Sequence, residues 1–408
     1  MRQPKYIFIA LTIIILAVLA VHIWHYFFLV DDAFISFRYA ANIASGHGAV
    51  FNVGERVEGY TNFLWVVILS LFSLIGISPH HMANILSISC SIILFLCLFY
   101  FNSRLFSRKR YDFFLLIAPL FLALNRTYAV WSTGGLETKL FSLSVFLAVV
   151  FLIRGDQTGA KNLRASALFF ALASLTRPEG ILLFGSFIGF YLTSHINDKQ
   201  KISNLLKSSI IYFIIVGSHF VFRLFYYGYP FPNTFYAKVT GAWLDAGLLY
   251  LFLFVHEYGL YLLLPLGILL LLKDYDSGRR RLLVRFSVSF IPYLAYLAYI
   301  GGDHFEYRPL DVILPFLAVG IQEGLRSGYN ILKVLRPRIA ATAVVIFLLL
   351  VMLLNFVPGF LSHRNFPEKY DSAIAIRTAE SRGNVTVAVP GFRSYLRILD
   401  RIHTRLAA

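Results

Sequence analysis

The sequence predicts an all-α polytopic membrane protein, and three observations carry that expectation. Hydrophobic residues fill 58% of the 408 positions and charged residues only 14%, against about 25% charged in soluble domains. Apolar runs of about 20 residues, the length that crosses a bilayer as a helix, recur along the chain. Lys and Arg gather in six short segments between those runs, as the positive-inside rule expects of cytoplasmic loops. The net charge of +16 is therefore read as membrane topology, and nucleic acid is excluded as a partner.

Each element follows in order. The first run, 6–29, is too long for a signal-peptide core and lacks a small-residue cleavage site, so it is a retained helix with the N-terminus in the cytoplasm. If 63–77 and the next run both crossed, Arg104, Arg108, Lys109 and Arg110 would lie outside. The stretch 63–77 is short, ends at Gly76 and precedes Ser78-Pro79, so it is assigned as a juxtamembrane helix at the interface. About eleven spans result: 6–29, 82–102, 111–125, 138–154, 164–176, 180–195, 206–227, 256–272, 283–300, 309–325 and 339–357. The six basic segments then face the cytoplasm and the C-terminus lies outside. The fifth span is short, which predicts a broken or partly inserted helix. The expected domains are a transmembrane unit, 1–357, with its first outer loop at 30–81, and a short extracytoplasmic tail, 358–408. Within that tail 384–391 reads as a strand and turn, the beginning of a small, cut-short α/β domain. Cys90 and Cys97 lie seven apart on one helix, where they cannot pair and read as small buried hydrophobes.

The outer segments carry the chemistry. Asp31-Asp32 follows the first apolar run with no Lys or Arg beside it, and carboxylates at the edge of hydrocarbon are costly and usually functional. Arg38, at i+7, can fold back toward Asp31. Glu55, Glu58, Tyr60 and Asn62 lead into the juxtamembrane helix. Glu137 follows Gly134-Gly135 and reads either as a helix-end charge or as a site residue. Arg177 and Glu179 flank Pro178 at a helix break, which is tolerated at membrane depth where it lines a protein cavity. Asn233 and Lys238 lie in an aromatic, proline-rich strap. Asp303, His304 and Arg308 follow Gly301-Gly302, and Arg and His⁺ supply the charge-assisted donors that suit phosphate.

These strings, DDAFISFRYAANIASGHGAVFNVGERVEGYTNFLW, TGGLET, TRPEG, PNTFYAK and GGDHFEYR, in this order, resemble the GT-C class of membrane glycosyltransferases. They are most like the actinobacterial terminal arabinofuranosyltransferases and their proteobacterial relatives. The resemblance covers roughly residues 1–330. It implies transfer of a sugar from a polyprenyl-phosphate donor to a cell-envelope glycan or glycolipid on the extracytoplasmic face of the bacterial inner membrane, by inverting single displacement. It also implies a catalytic base in the first outer loop, here Asp31 or Asp32, with Asp31 placed slightly ahead. Arg177, Lys238, His304 and Arg308 are the candidates for the lipid phosphate. Arg38, Glu55, Glu58, Tyr60, Asn62, Glu137, Glu179 and Asn233 are the candidates for sugar or acceptor. No cofactor is required by the pattern. A divalent cation is left open, with Asp31, Asp32 and Asp303 as its carboxylates. Relatives often end in a larger outer domain, so the short tail leaves acceptor recognition undefined. The rival reading is a multi-span transporter or lipid-linked-sugar flippase, set behind because no internal repeat is visible and the charges cluster at one face rather than at the midplane. A non-catalytic assembly factor gives no reason for acids and bases in five outer segments.

Overall fold

The computed structural model describes residues 3–105, 111–238, 242–261, 277–303, 305 and 307–335, together with 342, 345, 346, 349 and 350. Most of the expected last span, 339–357, lies outside the described residues, as do the tail, 358–408, with its expected strand, and most of 256–272. Among the described residues the chain is helical and has no strand, with one isolated bridge between Leu29 and Gly134. Four described helices are long and apolar enough to cross a membrane: Lys5–His25, Pro79–Phe101, Thr138–Thr158 and Lys199–Tyr227. Five shorter apolar helices accompany them.

The helices follow in chain order: α1 (Gln3–His25), α2 (Asp31–Ala44), α3 (Phe63–Leu74), α4 (Pro79–Leu105), α5 (Ile117–Leu124), α6 (Arg126–Val130), α7 (Thr138–Thr158), α8 (Ala160–Thr176), α9 (Glu179–Ser194), α10 (Lys199–Tyr227), α11 (Asn233–Lys238), α12 (Leu244–Glu257), α13 (Ser277–Tyr299) and α14 (Leu314–Leu335). α8 packs between α7 and α10, and α9 packs on α8 and α13. The largest core joins α1, α4, α5, α7, α8 and α14 through Leu19, Leu94, Phe121, Val145, Phe170 and Ala318, all buried.

Three expectations are corrected by this arrangement. The first apolar run does not stay helical to residue 29. α1 stops at His25, residues 26–30 leave the helix, and Asp31 and Asp32 open α2 rather than closing α1. The reason is twofold. Two carboxylates in a first turn face the positive end of the helix. The backbone groups released at the break find partners, since Val30 N–H donates to the Gly134 carbonyl at 3.1 Å and Gly134 N–H to the Phe28 carbonyl at 2.9 Å. The expected span 111–125 is not α-helical throughout: it opens as a 3-10 turn, Phe113–Leu116, that runs directly into α5, and it ends at Asn125, whose side chain accepts from Tyr128 N–H at the start of α6. Third, the fifth expected span is the C-terminal part of a continuous 17-residue helix, α8, unbroken to Thr176. The break falls after it, at Arg177-Pro178.

The Gly134-Gly135 turn is where these pieces meet. Both glycines have positive φ, +87° and +77°. Trp65 of α3 donates its indole N–H to the Gly135 carbonyl at 3.1 Å, and Ser87 of α4 donates to the Leu136 carbonyl at 3.1 Å. A Cβ on Gly135 would stand 2.8 Å from Leu29 Cδ2, 2.9 Å from Ala33 Cβ and 3.0 Å from Phe37 Cζ. Gly135→Ala is therefore expected to destabilise the chain by about 1–3 kcal/mol, from overpacking and a left-handed backbone. The check is a lower midpoint in thermal unfolding of the purified protein in detergent.

Candidate active site

The aspartates differ from each other in setting. Asp31 is exposed, and its Oδ1 accepts the backbone N–H of Asp32 at 3.0 Å. Asp32 is half-buried and shares a helical face with Ser36, one turn on. Neither has an ion pair among the described residues. Arg38 does not fold back onto Asp31: it is exposed, and its Nε donates to the Phe51 carbonyl at 3.2 Å.

Four other acids of the outer segments, Glu58, Glu137, Glu179 and Asp303, behave differently, each lying against an arginine. Glu137 is buried and takes two donors. Arg177 Nη1 donates to its Oε1 at 3.0 Å, and Asn62 Nδ2 to its Oε2 at 2.8 Å. Arg177 Nη2 donates to Glu179 Oε1 at 2.7 Å. The Asn62 amide is also joined to Ser36, by Nδ2 donating to Ser36 Oγ at 2.9 Å and Ser36 Oγ donating to Oδ1 at 3.2 Å. One polar chain thus runs from α2, through the start of α3, to the α7 N-terminus and the α8–α9 break. Glu137 occupies the N-cap position of α7, where its charge faces the positive end of the helix, but its side chain makes no capping hydrogen bond and is spent on Arg177 and Asn62 instead.

Arg308 lies beside this chain, close enough for its charge to act on Glu179. Its Nε donates to Asp303 Oδ2 at 3.2 Å, and its guanidinium lies 4.9 Å from the Phe305 ring centre and 5.8 Å from that of Trp131. Trp131 in turn meets Phe28, just before Asp31. The Asp31-Asp32, TGGLET, TRPEG and GGDHFEYR segments therefore converge. His304 and the side chain of Lys238 lie outside what the structure describes. Among the described residues no group of three or more His, Cys, Asp or Glu is placed to hold a metal.

The rest of the first loop forms a second cluster. Glu58 is buried against Arg223 of α10, with Arg223 Nη2 donating to Oε1 at 2.9 Å and Nε 2.7 Å from Oε2. Burial pushes the Glu58 carboxyl up and the Arg223 charge pulls it back, with a net rise. Arg223 Nη1 also donates to the Pro230 carbonyl at 3.2 Å, and Asn233 N–H to the Glu58 carbonyl at 2.9 Å. Tyr60 and Tyr227 share a hydroxyl contact at 3.1 Å. Tyr39 accepts from Gly59 N–H at 2.8 Å and donates to the Val57 carbonyl at 2.6 Å. Glu55 stays exposed, and its Oε2 accepts from Asn52 Nδ2 at 3.0 Å. The Asn233 side chain is likewise exposed. Ser36, Arg223, Tyr39 and Tyr227 were not singled out in the sequence. A buried arginine in an apolar run, Arg223 within 206–227, was the signal that could have found one of them.

This architecture, a first helix, a polar loop carrying two short helices, α2 and α3, and a set of buried polar segments converging on it, is similar in fold to solved GT-C glycosyltransferases. No protein-family model matches the chain. The fold is similar to that of ArnT from Cupriavidus metallidurans bound to undecaprenyl phosphate, with a TM-score of 0.55 at 13% identity over 93% of this chain and 78% of that one. It is also similar to the archaeal oligosaccharyltransferase AglB from Archaeoglobus fulgidus in complex with an inhibitory peptide and a dolichol-phosphate, with a TM-score of 0.51 at 12% identity over 92% and 56%. In sequence the chain is similar to the terminal beta-(1->2)-arabinofuranosyltransferase of Mycobacterium tuberculosis, 27% identical over 274 residues, or 63% of this chain and 42% of that protein. The enzyme of the same name from Corynebacterium glutamicum is 28% identical over 334 residues, 71% of this chain and 46% of that protein. The chain spans under half the length of these relatives.

Proposed function

We propose that this chain is a membrane glycosyltransferase that moves a sugar from a polyprenyl-phosphate donor to a cell-envelope glycan or glycolipid on the extracytoplasmic face. The observation that carries the reading is the contrast between carboxylates. Glu58, Glu137, Glu179 and Asp303 each sit against an arginine, whereas Asp31 and Asp32, at the head of α2, have no ion pair among the described residues. An acid held in place but not neutralised is available to take a proton. The relatives' names and the lipid phosphates bound to the structural neighbours support the donor class.

In the proposed reaction the acceptor hydroxyl attacks the anomeric carbon as its proton passes to an aspartate carboxylate. The bond from that carbon to the phosphate oxygen breaks, and polyprenyl phosphate leaves with the electron pair. A single displacement of this kind inverts the anomeric centre. Asp32 is the better-placed base, because it faces the same side of α2 as Ser36 and the polar chain beyond it, while Asp31 is exposed and engaged with its own backbone. Arg177 and Arg308 supply positive charge for the departing phosphate, with Lys238 and His304 as further candidates. The eleven-span topology, with the N-terminus cytoplasmic and the C-terminus outside in a bacterial inner membrane, puts these groups on one face.

The test is the purified full chain in nanodiscs, given a polyprenyl-phosphate-linked arabinofuranose and an arabinan acceptor. Extension of the acceptor, read by mass spectrometry, is the expected result. Translocation of the lipid-linked sugar in sealed vesicles with no transfer product would overturn the reading in favour of a flippase.

A further inference from the structure

We propose that Glu137 is a positioning residue, which through Asn62 and Ser36 holds the helix that carries Asp32 in fixed relation to Arg177. The inference rests on the reading of Asp32 as base and Arg177 as a phosphate-facing cation.

Glu137 has little left to offer a sugar. Its side chain is only 5% exposed, Oε1 is taken by Arg177 and Oε2 by Asn62. What it does instead follows from where those donors lead. Arg177 is the C-cap residue of α8, in extended conformation, and no helical bond holds its guanidinium. Two carboxylates on opposite ends of that guanidinium, Glu137 and Glu179, fix the plane in which its remaining N–H groups point. On the other side, Asn62 is the residue before α3, and its amide is shared between Glu137 and Ser36. Ser36 is buried one turn beyond Asp32 on the same face of α2. A rotation of α2 that moved Asp32 would break the contacts of Ser36 with Asn62. Base and cation are thereby tied through one carboxylate, and an in-line displacement needs that spacing to be right within a fraction of an ångström.

The measurement is kcat and donor KM for the nanodisc-embedded chain with polyprenyl-phosphate-linked arabinofuranose, for Ser36→Ala, Glu137→Gln, the double variant and Ser36→Thr. Ser36→Ala is a small change with no direct hydrogen bond to Arg177 and is expected to lower kcat about tenfold with donor KM within about twofold, the signature of an interaction that serves the transition state. Glu137→Gln is expected to lower kcat by more. The double variant is expected to be no worse than Glu137→Gln alone, since residues in one network do not add. Ser36→Thr, which keeps the hydroxyl, is expected to restore the rate. A rise in donor or acceptor KM on Glu137→Gln, with kcat kept, would make Glu137 a sugar ligand and overturn the proposal. Losses that multiply in the double variant, or that track a fall in thermal midpoint, would overturn it as well. Wild-type protein with no turnover on this donor would overturn the functional reading first and the relay with it, whereas turnover with additive losses would overturn the relay alone.

Discussion

Asp32→Asn is expected to lower the rate of sugar transfer by about 10²–10⁴-fold, the range that a positioned general base contributes. The amide is close to isosteric with the carboxylate and leaves the backbone of α2 in place. It cannot accept the acceptor's proton, so the loss is expected in kcat with little change in donor KM. Asp31→Asn is expected to cost about tenfold or less, because that side chain is exposed and bonded to its own helix, and its loss removes one stabilising charge from the first turn of α2. The assay is initial rate in membranes with a lipid-linked donor, each variant normalised to folded protein. The reverse order, with Asp31→Asn the crippled variant, would move the base by one residue. Full activity in both single variants and in the double variant would remove the aspartates from the chemistry.

The ordering of these two residues shows where sequence reasoning stops. The pattern of one apolar run followed by Asp31-Asp32 made the pair visible, because two carboxylates without a basic neighbour are costly at that depth. It placed them at the end of a helix, and Asp31 slightly ahead. The structure puts them at the start of the next helix, and that reversal decides which face each takes. The break at residues 26–30 depends on backbone partners supplied by Gly134, about a hundred positions away in the sequence, so no local pattern announces it. Gly134-Gly135 was legible as a turn for the ordinary reason that consecutive glycines disfavour helix. That its backbone groups would pair with Phe28 and Val30, between α1 and α2, and take the Trp65 indole of α3 was not.

Glu58 makes the same point from the other side. Its acid character placed it among sugar or acceptor candidates, and its neighbours Glu55 and Arg56 are exposed as such a loop suggests. Its partner is Arg223, which lies in a run that reads simply as a span. Hydropathy reports that a segment is apolar on average. It does not report which helix packs beside it, and a single buried charge is found only by asking what could neutralise it. Asking that of Arg223 narrows the partner to an outer-segment acid, yet Glu55, Glu58, Glu137 and Glu179 remain equal until the fold is known. Lys139, two residues after Glu137, is fully buried and faces the core. Two positions, about half a helical turn, separate a residue facing a site from one facing the core, and period alone cannot say which face is which.

Lys139→Met is expected to be among the most destabilising single substitutions in the chain, by about 3–5 kcal/mol, the cost of leaving a buried charge without its partner. Lys139 Nζ lies 2.6 Å from Asp311 Oδ1, Ser142 donates to the other carboxylate oxygen at 2.6 Å, and both charged side chains are fully buried. The ammonium also sits 3.4 Å from the centre of the Tyr128 ring, whose hydroxyl donates to the Ser91 carbonyl. The pair therefore links α7 to the 3-10 turn Arg308–Val312 and braces α6 and α4 around it. Removing only the lysine strands the Asp311 carboxylate with one hydroxyl. Removing both charges, as Lys139→Met with Asp311→Leu, is expected to recover most of the loss, because two apolar side chains of similar size need no desolvation and can fill the same space. The three proteins are to be compared by thermal unfolding in detergent, with transfer activity measured on the folded fraction. Recovery of stability without recovery of rate would mean that the pair also sets the position of Arg308, three residues before Asp311, against the α8–α9 break. A double variant as unstable as Lys139→Met would instead mean that the ion pair itself, rather than the avoidance of a stranded charge, holds these helices together.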